Sequence, residues 1–63
     1  MALSKTDIGF LEDMIEHHGS AVAMANKALK TTKDGFVRKL AEAIVKAQTK
    51  EIADIKDRLA EDG

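Results

Sequence analysis

Apolar residues recur at alternating steps of three and four over most of this chain, and this spacing predicts α-helices rather than strands. In the N-terminal half, a first stripe consists of Ile8, Leu11, Ile15, His18, Val22, Ala25 and Leu29. A second stripe lies beside it and consists of Phe10, Met14, His17, Ala21, Met24 and Ala28. At about 100° per residue, the two stripes together cover nearly half of the helix circumference. A single neighbouring helix cannot cover so wide a face.

The first helix is predicted to span residues 5–30. Ser4 is followed by Asp7 at the spacing of a capping box, in which a hydroxyl and a carboxylate satisfy free amide donors. The segment 31–35 then breaks the helical pattern with cap-forming residues and a glycine. Three residues of this segment could each cap the next helix: Thr31, Thr32 and Asp34.

The second helix is predicted to span residues 35–61, after a turn at residues 31–34 and before a stop at Asp62-Gly63. Its stripe consists of Val37, Leu40, Ala41, Ile44, Ala47, Gln48, Glu51, Ile55 and Leu59. A turn this short joins only antiparallel neighbours. The predicted fold is therefore all-α, with one antiparallel two-helix hairpin that forms a single domain over residues 1–63.

Length and composition limit the possible partners. A chain of 63 residues without cysteine is marginal alone, because it buries little apolar surface and no disulfide compensates. We therefore expect a homodimer in which two hairpins form a four-helix bundle. The net charge of −1 argues against nucleic acid as a partner. The sequence shows neither a membrane-spanning apolar run nor a signal peptide, so we expect no membrane insertion and a cytoplasmic location.

Polar residues interrupt the apolar stripes of both helices at one level of the hairpin. Antiparallel pairing places Gln48 across from His17 and Glu51 across from Met14. A register that differs by one helical turn would still keep these groups close together. A buried carboxylate without a partner is costly, so Glu51 requires a hydrogen-bond donor or a cation.

Two interpretations of this cluster are open. In the first, His18 is a core histidine that donates to Glu51, and Met14 and Met24 fill space in the core. The cluster then sets only packing and register, and the protein is a structural or oligomerisation module.

In the second interpretation, the cluster binds a metal ion. Met14 lies one turn from the two histidines and can share an ion with them, whereas Met24 lies about 10 Å further along the helix axis from His17. Imidazole and thioether groups without cysteine favour copper as the cofactor. The metal ligands would be Met14, His17 and His18, and the groups that orient the imidazoles would be Gln48 and Glu51. Met24 would contribute from further along, or serve a second ion, a partner chain or the core.

The sequence also resembles the DUF305 family of ferritin-like helical bundles. The similarity extends from about Asp7 to Leu59, and its core is Met-Ile-x-His-His, followed by Ala and Met and, in the next helix, Gln-x-x-Glu-Ile. Family members are often exported, and some bind copper or silver through methionine and histidine. The resemblance implies four ligands, Met14, His17, His18 and Met24.

Two departures from the family pattern bear on function. Members commonly contain two such hairpins, whereas this chain has one, which again favours a dimer. Members often carry a further methionine and an aromatic residue near the end of the second helix, where this chain has Ile55 and Arg58. Fewer thioethers imply weaker Cu(I) binding.

No pattern in the sequence points to catalysis. A ferritin-like di-iron site needs Glu-x-x-His, and neither histidine has a glutamate at that spacing. Ser20 lies on a different helix face from both histidines and so lacks a base to activate it. We therefore expect a binding protein and not an enzyme.

Overall fold

The structure is a computed structural model that describes residues 2–62, and it consists of two antiparallel helices joined by a short turn. Helix α1 is Lys5–Thr31 and helix α2 is Gly35–Asp62. The hairpin measures 46 × 14 × 14 Å, and residues 2–62 contain no strand. The predicted all-helical hairpin is confirmed. Met1 and Gly63, the latter part of the predicted stop, lie outside the described residues.

Both helices begin with a side-chain cap. The Ser4 hydroxyl accepts from the Asp7 amide at 3.1 Å, and the Asp7 carboxylate accepts from the Ser4 amide at 3.0 Å, so the predicted capping box is present. The hydrogen bond from the Ser4 amide, reinforced by the Ser4 side chain, lowers the pKa of Asp7. At the second helix, Asp34 is the residue that caps, because its carboxylate accepts from the Val37 amide at 2.8 Å. Thr32 instead accepts from the Asp34 amide at 3.1 Å, within the turn.

The core of the hairpin is thin and follows the first stripe of α1. Within residues 2–62, only His18, Ala25 and Ala41 are buried, and the other members of the first stripe are half-buried. Small side chains at Ala25 and Ala41 allow the two backbones to approach closely. The hairpin therefore depends on close helix contact at alanines and on partial burial of longer side chains.

The second stripe of α1 lies at the side of the hairpin. Phe10 is 61% exposed and Met24 is 72% exposed, and Leu40 and Val37 on the neighbouring side of α2 are also exposed. We call this surface the open face, and it consists of Phe10, Met14, His17, Ala21, Met24 and Ala28 on α1 with Val37, Leu40 and Ile44 on α2.

The two ends of the chain are held together at the end of the hairpin opposite the turn. The Leu3 amide donates to Asp62 Oδ1 at 2.8 Å, and Arg58 Nη1 lies 3.9 Å from the same oxygen. These contacts fix the register of the two helices at that end. Neither helix within residues 2–62 has an apolar stretch long enough to cross a bilayer.

Candidate functional site

His18 is the only buried residue among residues 2–62 that has an ionisable side chain. Its Nε2 lies 2.6 Å from Glu51 Oε1, and this contact connects α1 to α2. An ionised carboxylate only accepts hydrogen bonds, so Nε2 carries a hydrogen and donates it. The structure therefore contains the contact on which the packing interpretation depends. The same contact also fixes the orientation of the His18 ring.

Two buried polar atoms near this contact have no hydrogen-bond partner within residues 2–62. They are Nδ1 of His18 and Oε1 of Gln48. When the imidazole is neutral and Nε2 holds the hydrogen, Nδ1 presents a lone pair. A buried polar atom without a partner costs about 1–3 kcal/mol, so a water molecule, a cation or a hydrogen-bond donor from another chain would be stabilised at these two atoms.

A shallow depression on the open face brings several predicted residues together. It has a volume of about 280 Å³, and its lining residues include Met14, His18 and Glu51. Phe10, Leu11, Asp54 and Ile55 complete the lining. Glu51 lies near both Met14 and His18 in this depression, but its direct contact is with His18, one helical turn from the residue that the predicted pairing placed opposite it.

Asp54 and Ile55 were not predicted to belong to this cluster. The signal was present in the sequence, because both residues follow Glu51 at the spacing that places side chains on one helix face. Asp54 also accepts a hydrogen bond from Lys50 Nζ at 2.8 Å. This hydrogen bond, together with the charge of the same carboxylate, raises the pKa of Lys50. Lys50 therefore compensates part of the negative charge at the edge of the depression.

The two histidines lie in different environments. His17 is exposed, and its ring centroid is 6.1 Å from that of His18 with 67° between the ring planes. Adjacent helical residues diverge by about 100°, so His18 faces α2 while His17 lies on the open face. A ligand that contacts both rings must therefore approach from the open face.

Met24 is separate from this cluster. It lines a second depression nearer the turn, together with Ala21, Ala25, Ala28, Val37, Leu40, Ala41 and Ile44. This separation agrees with the distance of about 10 Å along the helix axis that was expected between His17 and Met24. Met24 does not line the depression that contains His18, among the residues that the structure describes.

One hairpin supplies few donors for a metal ion. Within residues 2–62, no three side chains of histidine, aspartate or glutamate form a group that could hold one. The nearby donors of suitable softness are the two imidazoles and the Met14 thioether. Glu51 is already bonded to His18 and Asp54 to Lys50. The donor types fit a soft transition metal, but their number in one chain is small.

A protein-family model described as "Domain of unknown function (DUF305)" matches residues 2–62. The match includes both helices and every residue of the cluster, so it confirms the resemblance that the His-His and Gln-x-x-Glu pattern indicated. Neither a curated protein nor a solved structure matches the chain.

Proposed function

Since the chain belongs to the DUF305 family, we propose that it is a small helical protein that binds a transition-metal ion, with copper as the best match. The role is metal binding or buffering, without turnover. The proposed ligands are Met14, His17 and His18, and Gln48 and Glu51 orient the imidazoles. Met24 lines the other depression and would serve a second ion or a partner chain.

The observation that carries this proposal is the state of the His18 ring. Glu51 holds Nε2 at 2.6 Å, while Nδ1 is buried and has no partner within the described chain. Metal-binding histidines typically donate their second nitrogen to a carboxylate, which fixes the tautomer and makes the ligating nitrogen more basic. The His18–Glu51 pair has this arrangement, and a metal ion at Nδ1 would satisfy the unpaired atom.

Copper is favoured by the chemistry of the neighbouring donors. Met14 lines the same depression as His18, and a thioether is a soft ligand that prefers Cu(I) to zinc. His17 lies on the side from which an ion would approach. Because one hairpin supplies few donors, we place the complete site in a homodimer, where two hairpins form a four-helix bundle and each contributes its own set.

Titration of the purified full chain with Cu(I) under reducing conditions tests the proposal. We expect saturable binding that is lost in the double variant His17→Ala/His18→Ala. The control is Asn26→Ala, which changes an exposed polar residue of the same helix and should bind as the wild type does. Absence of saturable binding, or unchanged binding in the double variant, would contradict the proposal.

A second candidate function is a structural or oligomerisation module in which the cluster only sets packing and register. The direct His18–Glu51 contact favours it, because that contact needs no metal to hold the two helices in register. This hypothesis predicts that Glu51→Gln and His18→Gln shift the melting temperature equally with and without Cu(I). A melting temperature that rises steeply with added metal would count against it.

A further inference from the structure

The depressions that contain Met14 and Met24 open on the same side of the hairpin. On α1 each is lined by residues of both stripes, and on α2 their linings share the face of Leu40 and Glu51. The depression nearer the turn is lined almost wholly by alanines and aliphatic side chains. The depression nearer the chain ends is bordered by the bulky, exposed ring of Phe10. The open face thus has a protruding ring at one end and a small-residue hollow at the other.

The exposed area of the hairpin is too large for a compact monomer. The chain exposes 4934 Å², whereas a compact monomer of 6.8 kDa exposes about 3,950 Å². The excess of about 1,000 Å² is close to the roughly 800 Å² per partner that a standard interface buries. Burial of one interface of standard size would therefore reduce the exposed area of the chain to that of a compact protein.

We propose that the open face binds a second copy of this chain in antiparallel orientation, about a two-fold axis at the level of His17. The proposal rests on the homodimer of the proposed function but not on its metal ion. Phe10 and Met24 lie seven residues before and after His17 on one stripe. A two-fold rotation at His17 therefore brings Phe10 of each copy to the level of Met24 in the other.

Shape complementarity selects the antiparallel arrangement. At the level of Met24, the second copy presents its small-residue hollow, which has a volume of about 220 Å³. This volume exceeds the roughly 150 Å³ of an apolar cavity that accommodates benzene, so a phenyl ring fits. A parallel arrangement would instead place ring against ring and hollow against hollow. Exposed Met24 then packs beside the Phe10 ring, a favourable contact between sulfur and an aromatic edge.

The same axis completes the polar cluster. His17 of each copy lies at the axis, so the two exposed imidazoles face each other and each is next to a His18 ring at 6.1 Å. Each hairpin thereby receives from its partner the donors that the single chain does not supply. The unpaired Nδ1 of His18 and Oε1 of Gln48 lie close to this level.

The first test is the mass of the metal-free protein in solution, measured by sedimentation equilibrium in the presence of a chelator. We expect a dimer whose dissociation constant rises about tenfold or more in Phe10→Ala. The matched control is Phe36→Ala, because Phe36 is 75% exposed and lines neither depression. A wild type that is monomeric at all concentrations, or two variants that weaken the dimer equally, would overturn the proposal.

Cysteine cross-linking tests the orientation, since the chain has no cysteine of its own. His17→Cys should form a disulfide-linked dimer under mild oxidation, because the two positions meet at the axis. Met24→Cys should not, since two such positions would be about 21 Å apart along the helix axes and a disulfide requires Cα atoms within about 7 Å. Cross-linking of Met24→Cys as fast as His17→Cys would overturn the antiparallel arrangement.

The two proposals fail separately. A chelator-resistant dimer that binds no Cu(I) leaves the interface standing and removes the metal function. Saturable Cu(I) binding by a protein that stays monomeric removes the interface and the two-chain site, and leaves metal binding by the single chain.

Discussion

The two apolar stripes of α1 have the same periodicity and similar lengths, yet the first is covered more completely than the second. The first stripe contains the buried residues His18 and Ala25 and otherwise half-buried side chains. The second stripe contains no buried residue: Phe10, His17 and Met24 are exposed, and its other three members are half-buried. The difference arises because a single partner helix covers only one narrow stripe. An apolar pattern therefore indicates how much of a helix surface is to be buried, but it does not indicate whether the same chain or another molecule buries it.

The sharpest test of this comparison introduces the same side chain on each stripe. Ala25→Leu should destabilise the hairpin by about 1–3 kcal/mol, because Ala25 is buried where the two helices meet and a larger side chain forces them apart. The matched variant Ala28→Leu, on the second stripe, should destabilise the hairpin less than Ala25→Leu, because Ala28 is half-buried and borders an open hollow. Urea unfolding at matched association state measures both. Equal destabilisation would show that the second stripe is as tightly packed as the first.

A second comparison concerns the two histidines. Glu51→Ala should cost about 1 kcal/mol, since His18 loses the partner of its Nε2, and the 55% exposure of the Glu51 side chain lets water replace part of the bond. Glu51→Gln should recover most of this loss, because an amide oxygen still accepts the hydrogen bond. In NMR spectra, the ring resonances of His18 should shift more than those of His17. A larger shift at His17 would contradict the assignment of Glu51 as the hydrogen-bond partner of His18.

Gly19 lies on neither stripe. A substitution there tests whether the rest of the α1 surface is free of packing contacts. A methyl group added there meets no atom within 4 Å. Gly19→Ala should therefore stabilise the hairpin by about 0.5–1 kcal/mol through helix propensity. Gly35→Ala, at the first residue of α2, is the control and should stabilise less, because its position is at the helix end. Destabilisation by Gly19→Ala, seen in thermal unfolding, would mean that a third face of α1 is packed.

The smallest expected effect is the pH dependence of the stabilisation that the Ser4–Asp7 capping box gives to α1. Because α1 carries both stripes, this effect does not distinguish between them. The hydrogen bonds from Ser4 lower the pKa of Asp7 below its ordinary value of 3.8. The stabilisation by Asp7 is therefore complete above that value and is lost as the pH falls through the lower pKa of the folded protein. Helix content followed by circular dichroism between pH 5 and 2 should fall less steeply in Asp7→Asn than in the wild type. Identical acid profiles would show that the capping box contributes nothing measurable.

Much of the candidate site could be predicted from the sequence because helices impose a fixed spacing. The heptad pattern placed His18 on the first stripe and Glu51 within about one helical turn of its level on α2, and the structure brings these two side chains to 2.6 Å. The spacing could not separate the roles of His17 and His18, because both stripes are apolar and either could have faced α2. The inclusion of Asp54 in the depression was likewise missed, since its spacing from Lys50 also fits an ordinary solvated surface.

The sequence by itself determined the two helices, the Ser4–Asp7 cap and the antiparallel hairpin, because these depend on local hydrogen bonding and on a turn too short for another connection. Only the tertiary structure decided which stripe is buried, that Asp34 and not a threonine caps α2, and that Nδ1 of His18 has no partner among residues 2–62. These outcomes depend on the rotation of each helix about its axis. That rotation is set by the packing of the two helices against each other, and the spacing of residues within one helix does not determine it.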